Sequence, residues 1–267
     1  MPWFRALQRR LDFPVRLRYG RWHYYVKAIR DFSVVLPNKS YLEPLTHEAF
    51  EKLFRHLGAR TFLDIGANVG TFSWHALGLD PALRVHLFEP DVTNQGLLER
   101  TIRANGFTTV SLCKAAISNA VGKASFLVDE ASGATGGLAD HTGNPDSLQY
   151  NYGMGRRVEV ETSTLDAYFE DQQVANPVLI KIDVEGVEAE VFEGGRGFLE
   201  RNRPWIIVEC FTFQNLKVMV GSNYHYWEIP EGGNYVLAPS ERAEEAARLL
   251  GRTFRPLDAA AFAEPQP

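Results

Sequence analysis

The sequence predicts an α/β fold: an open, mostly parallel sheet with helices on both faces. Three observations predict it. The run Thr61-Phe62-Leu63-Asp64-Ile65 passes through the small-residue turn Gly66 to Gly70 into an apolar-periodic segment from Val69 to Leu77. That pattern reads as strand, tight turn, helix. Arg84 to Phe88 reads as the next strand and ends in Glu89 and Pro90. The runs Val178 to Ile182 and Pro204 to Val208 are apolar throughout apart from Lys181. Strands buried on both faces look like this, and these two deliver Asp183 and Glu209 at their carboxyl ends.

The remaining elements follow from local signals. Thr46 to Leu57 reads as a helix with Thr46 as N-cap, Gly58 as its stop, and Phe50, Leu53, Phe54 and Leu57 as its apolar face. Residues 91–105 read as a helix opened by Asp91 and closed near Asn105-Gly106. Thr109 to Lys114 is the third strand, and Ala115 to Ser118 a small-residue strand end. Lys123 to Asp129 and Arg157 to Glu161 alternate as strands do, with a short helix from Leu165 to Phe169 behind them. Between them, residues 130–155 are rich in glycine and poor in aliphatics. A loop of that length is usually functional or disordered, and it is expected to act as a lid over the acceptor side. A helix carrying Glu188, Val191 and Phe192 closes at Gly194-Gly195. Tyr235 to Pro239 reads as a strand, Glu241 to Leu250 as an amphipathic helix, and the Pro-rich end as frayed.

At 267 residues the chain reads as one generous domain with appendages. The expected division is an N-terminal basic and aromatic extension (1–45), a main domain (46–240) and a C-terminal helix and tail (241–267). The net charge of −5 argues against a nucleic-acid partner. Charge is uneven, with nine Lys or Arg in residues 1–39 against Asp12 and Asp31. Together with Trp3, Phe4, Phe13, Trp22 and their aromatic neighbours, these residues suggest a peripheral membrane contact through residues 1–40. The missing helical period favours instead an extension docked on the main domain. No apolar run is long enough to span a membrane, and Arg5, Arg9, Arg10 and Asp12 break any signal peptide. Cys113 and Cys210 read as reduced core thiols, so a cytoplasmic protein is expected.

In an open α/β sheet, ligands bind outside the carboxyl ends of the strands. Asp64, Glu89, Asp183 and Glu209 gather there. Gly66 permits the sharp turn and Gly70 permits close packing of the helix. Asn68 stands where a dinucleotide fingerprint has its second glycine, which disfavours a pyrophosphate and so a nicotinamide cofactor. Glu89 lies about 20 residues past the glycines, where an acid meets ribose hydroxyls. Acids without a phosphate cradle suit a cationic, ribose-bearing ligand such as S-adenosylmethionine.

Asp64-Ile65-Gly66-Ala67-Asn68-Val69-Gly70, then Phe88-Glu89-Pro90 with Asn94, then Lys181-Ile182-Asp183-Val184-Glu185-Gly186 with Glu188, occur in that order. Over about residues 60–210 the chain resembles the FkbM family of S-adenosylmethionine-dependent methyltransferases. The resemblance implies the class I (Rossmann-like) methyltransferase sandwich, a seven-stranded, mostly parallel sheet with one antiparallel edge strand. It implies that Asp64, Gly66, Asn68 and Gly70 hold the methionine part, that Glu89, followed by Pro90, holds the ribose, and that Ala116 lies near adenine. Asp183 would face the reacting methyl and serve as the base, with Glu185 in reserve and Glu209 third. The acceptor would be a sugar, glycolipid or related hydroxyl. N-methylation of an amine and a non-catalytic scaffold are the alternatives. His75 and His86 read as packed or solvated histidines. Asp183 with Glu209 could hold a magnesium ion, but no metal is expected.

Overall fold

The computed structural model describes residues 11–31, 43–130, 133, 136–138, 155–210, 223–251 and 253–257. Most of the expected lid, and residues 1–10 and 32–42 of the extension, lie outside the described residues.

The main sheet takes five parallel strands from the runs read as strands in the sequence: β3 (Thr61–Ile65), β4 (Arg84–Phe88), β5 (Val110–Cys113), β10 (Val178–Ile182) and β11 (Trp205–Glu209). It continues through β12 (Tyr224–Ile229), β13 (Asn234–Pro239) and β14 (Arg255–Leu257) in the order β14-β12-β13-β11-β10-β3-β4-β5. Two details differ from the expectation. The sheet has eight strands rather than seven, and the antiparallel strand β13 lies inside it, between β11 and β12. The added edge strand β14 pairs antiparallel with β12. Ala246, Leu250 and Phe254 are buried in the same core. Residues beyond 240 thus continue the sheet.

Alternation along the strands divides the core in two. Phe62, Val85, Leu87, Leu179 and Ile207 face one side, packed by α1 (Pro44–Leu57), α2 (Thr71–Leu79), α3 (Val92–Asn105) and α7 (Ala243–Leu250). Leu63, Ile65, Ile180, Ile182 and Val208 face the other, packed by α4 (Leu165–Tyr168), α5 (Glu188–Gly194) and α6 (Arg196–Asn202). Helix α1 begins two residues before its expected cap. Glu43 is the N-cap and Pro44 opens the helix, while Thr46 lies inside, its N–H and hydroxyl both donating to Glu231. Asp91 caps α3 as expected, accepting from the Thr93 N–H at 2.6 Å.

A second sheet stands beside the first. It joins β6 (Ala116–Ile117), β9 (Gly155–Ser163), β7 (Gly122–Asp129) and β8 (Gly137–Leu138), in that order. Its own small core includes Phe126, Val128, Leu138 and Val187. The sequence shows two of these strands but not that they leave the main sheet.

The hairpin of β1 (Pro14–Tyr19) and β2 (Trp22–Lys27) lies on α3. Tyr24 and Val26 enter the core, and Asn105 both donates to and accepts from the His23 backbone. No described helix is long and apolar enough to cross a membrane. Cys113 and Cys210 carry thiols rather than a disulfide. His75 is buried against His47 and Glu51. His86 packs edge-on to Tyr168 and Phe169, and burial lowers its imidazole to about 4.

Candidate active site

At the carboxyl ends of β3, β4 and β10 lies a cavity of about 660 Å3, counted to its open mouth. The two sheets wall it together: Phe126, Asp129 and Leu138 of the second sheet face the turns of the first. Seven residues expected at the site line it: Gly66, Asn68, Glu89, Pro90, Ala116, Asp183 and Glu185. Asp91 and Asn94 join them from the start of α3.

Asp64, Gly70 and Glu209 do not line it. Asp64 accepts from the Ser73 hydroxyl at 2.5 Å, behind the turn, on the α2 side. Burial lifts its carboxyl to about 6, against the pull of Ser73 and Lys181. Gly70 serves packing, since a Cβ there would sit 2.6 Å from the Trp74 indole. Glu209 ends β11, and burial, reinforced by Asp183, lifts its carboxyl to about 10.

The turn is held by its neighbours. The Asn68 N–H donates to Glu89 Oε2 at 2.7 Å, and the Asp91 N–H to Glu89 Oε1 at 2.8 Å. The Asn68 side chain donates to the Gly133 carbonyl at 2.9 Å. Glu89 is 4% exposed; burial raises its carboxyl to about 8, while these N–H groups and the Asn94 amide oppose the rise. Its oxygens keep further lone pairs for a ligand in the cavity.

Two residues near Asp183 complete the geometry. Lys181 is buried, with Nζ 2.8 Å from Asp183 Oδ2 and 5.1 Å from the centre of the Phe72 ring. Burial opposes its charge, but Asp183, Glu43 and Glu209 outweigh that and hold the ammonium above its usual range. A lone lysine in an apolar strand was the sequence signal for this role; Glu43 offered none. Glu185 has φ +58°, a conformation uncommon for a residue with a side chain. Burial, with the Asp183 and Glu188 carboxylates, raises its carboxyl to about 8. Among the described residues, no group of three or more His, Cys, Asp or Glu could hold a metal ion.

These buried carboxyls set a pH dependence. Between the ordinary carboxylate range and about 8, folded Glu89 and Glu185 hold protons that the unfolded chain has lost. Stability therefore falls as pH rises through that window. The urea midpoint is expected to drop between about pH 6.5 and about pH 8, and to drop less in Glu185→Gln. A flat profile in the parent protein would contradict the burial of these two acids.

The sequence model for the FkbM methyltransferase domain matches residues 64–227. The chain belongs to the FkbM methyltransferase family. Its main sheet is accordingly the class I methyltransferase sandwich with one strand added, and the family's methyl donor is S-adenosylmethionine. Among solved structures, this FkbM chain is similar to an FkbM methyltransferase from Methylobacillus flagellatus KT, at 12% identity and a TM-score of 0.47, over 78% of this chain and 60% of that one. The chain therefore spans less than two thirds of that protein's length. It is also similar to a mutant of MtNAS in complex with S-adenosylmethionine, at 11% identity and a TM-score of 0.41, over 75% and 63% of the two chains. A ribosomal protein methylase from Lactobacillus delbrueckii subsp. bulgaricus matches at 12% identity and a TM-score of 0.43, over 74% and 77%. No curated protein matches the chain.

Proposed function

We propose that this FkbM methyltransferase O-methylates a hydroxyl of a sugar, glycolipid or related natural product, with Asp183 receiving the hydroxyl proton. The observation that carries the reading is the cavity wall. It holds five acidic side chains, Glu89, Asp91, Asp129, Asp183 and Glu185, and no Lys or Arg among the described residues. Such a wall fits a cationic ligand without a phosphate. S-adenosylmethionine supplies a methyl already activated on a positively charged sulfur.

The chain's own residues then have separable tasks. The turn from Gly66 to Asn68 offers close backbone approach. Glu89 accepts from ribose hydroxyls, with Pro90 ending the strand beside it. Ala116, small and buried on β6, leaves room for a flat base. Asp64 and Gly70 act from behind, through the backbone they hold. A sugar hydroxyl is a very weak acid, so its proton must leave as the methyl arrives. Asp183, on the wall at the end of β10, supports that role best. Glu185 is the alternative base, from the same wall.

The test is incubation with labelled S-adenosylmethionine and a panel of glycans, glycolipids and amines, followed by mass spectrometry. A saccharide hydroxyl should gain the methyl. Transfer to nitrogen alone would overturn the O-methylation reading.

Glu89→Gln tests the ribose assignment separately. A cationic cofactor beside Glu89 favours its charged form over the buried, protonated one, and hydrogen bonds to that charged acceptor contribute about 1.5–3 kcal/mol each. The substitution should therefore weaken S-adenosylmethionine binding at least about tenfold. Unchanged affinity by calorimetry would remove Glu89 from the ribose.

A further inference from the structure

We infer that Arg30, in the N-terminal segment, is a positioning residue of the cofactor site that aims Glu89 through the Asn94 amide. The inference rests on the reading of Glu89 as the ribose carboxylate.

Arg30 is 6% exposed and lies just past β2. Its position is over-determined. Asp12 accepts from the Ile29 and Arg30 backbone N–H groups, and Asp31 accepts from the Lys27 N–H. The guanidinium reaches three partners. Nε donates to Asp31 Oδ1 at 2.8 Å, Nη1 lies 3.6 Å from Asp91 Oδ2, and Nη2 donates to Asn94 Oδ1. Asp31, Asp91 and Asp12 hold the buried guanidinium charged against the cost of burial.

The contact with Asn94 decides an orientation. A guanidinium only donates, so it must take the amide's oxygen. That leaves the amide NH2 as the group turned toward Glu89, which shares the cavity wall with Asn94 and whose carboxyl the Asn94 amide holds down. Glu89 then has the Asn68 and Asp91 N–H groups on its two oxygens and the Asn94 NH2, rather than its oxygen, on the same side. Without Arg30 the amide is free to turn and present its oxygen to a carboxylate. Gly133 packs on the same head group, where a Cβ would lie 2.5 Å from Arg30 Nε, and its carbonyl receives Asn68. Arg30 lies outside the matched residues 64–227, so the hairpin completes a site that the family domain does not contain by itself.

The experiment is calorimetry of S-adenosylmethionine binding by the full chain, with melting temperatures alongside. Asn94→Asp keeps an acceptor for Arg30 but meets Glu89 with an oxygen. It should retain the melting temperature within a few degrees and weaken binding about tenfold or more. Arg30→Lys keeps a charge beside Asp31 but cannot span the fork, and should weaken binding several-fold. In an Asn94→Ala background, Arg30→Lys should cause no further loss, because the amide it orients is gone. Parent-like binding by Asn94→Asp, or a full additional loss on adding Arg30→Lys to Asn94→Ala, would overturn the inference. Glu89→Gln separates the two levels. If it binds like the parent, the ribose reading fails. If it loses tenfold while Asn94→Asp and Arg30→Lys do not, only the positioning role fails.

Discussion

Asp183→Asn is expected to lower turnover about 10²–10⁴-fold, the usual contribution of a general base, with a much smaller change in S-adenosylmethionine affinity. Asparagine keeps the shape and removes the proton acceptor. The backbone there is held independently of the side chain, because the Asp183 N–H donates to the Ile65 carbonyl at 2.9 Å. Lys181 would lose its 2.8 Å partner. It would keep the attraction of Glu43, and Glu209, whose protonation Asp183 reinforces, would ionise more readily, so the buried ammonium is not left uncompensated. The protein should therefore fold and bind cofactor. The competing account, in which Asp183 only contacts the cofactor's amino group, predicts the reverse: weakened affinity and full turnover at saturation. Glu185→Gln measured beside it decides between the two acids on the wall. Full turnover by Asp183→Asn at saturating cofactor would end its assignment as the base.

Gly66→Ala should destabilise the fold by about 3–5 kcal/mol, a figure that joins overpacking with a left-handed backbone for a residue bearing Cβ. Gly66 has φ +80°, and a Cβ there would stand 1.8 Å from the Asp183 carbonyl oxygen and 2.8 Å from its carbon. Neither side can yield easily. The Gly66 N–H donates to the Phe88 carbonyl at 3.1 Å, and the Asp183 N–H is held by Ile65. The clash therefore falls between two fixed backbones. Gly106 supplies the control. Its φ is +65° and a Cβ there would meet nothing within 4 Å, so Gly106→Ala should cost only about 1 kcal/mol. Equal losses by the two variants in urea unfolding would show that the contact with Asp183 is unimportant. The same contact explains why the turn after β3 and the end of β10 form one structural unit: moving either moves Asp183.

What the sequence determined by itself was local. The turn from Gly66 to Gly70, the Asp91 cap, Glu89 at the end of β4 and Asp183 at the end of β10 each follow from a few adjacent residues. The family motifs coincide with those same stretches. Period and punctuation also located β7 and β9 as strands. Pairing was a different matter, because alternation states which face a residue takes but not which sheet it joins. Only the tertiary structure put β7 and β9 in a second sheet that walls the cavity, and put β13 inside the main sheet. Only the tertiary structure separated Glu185, which lines the cavity, from Glu209, which does not. Both acids end or follow apolar strands, and the sequence ranked Glu185 ahead of Glu209 only through the motif that contains it. Lys181 was visible as an anomaly, a charge in a buried run, without its partners. Arg30 was not visible at all. It meets Asn94 across 64 residues of chain, and a lone arginine among many in a basic segment carries no sign of burial. Its role exists because docking the hairpin on α3 removes the guanidinium from water, so that each of its donors must find an acceptor there.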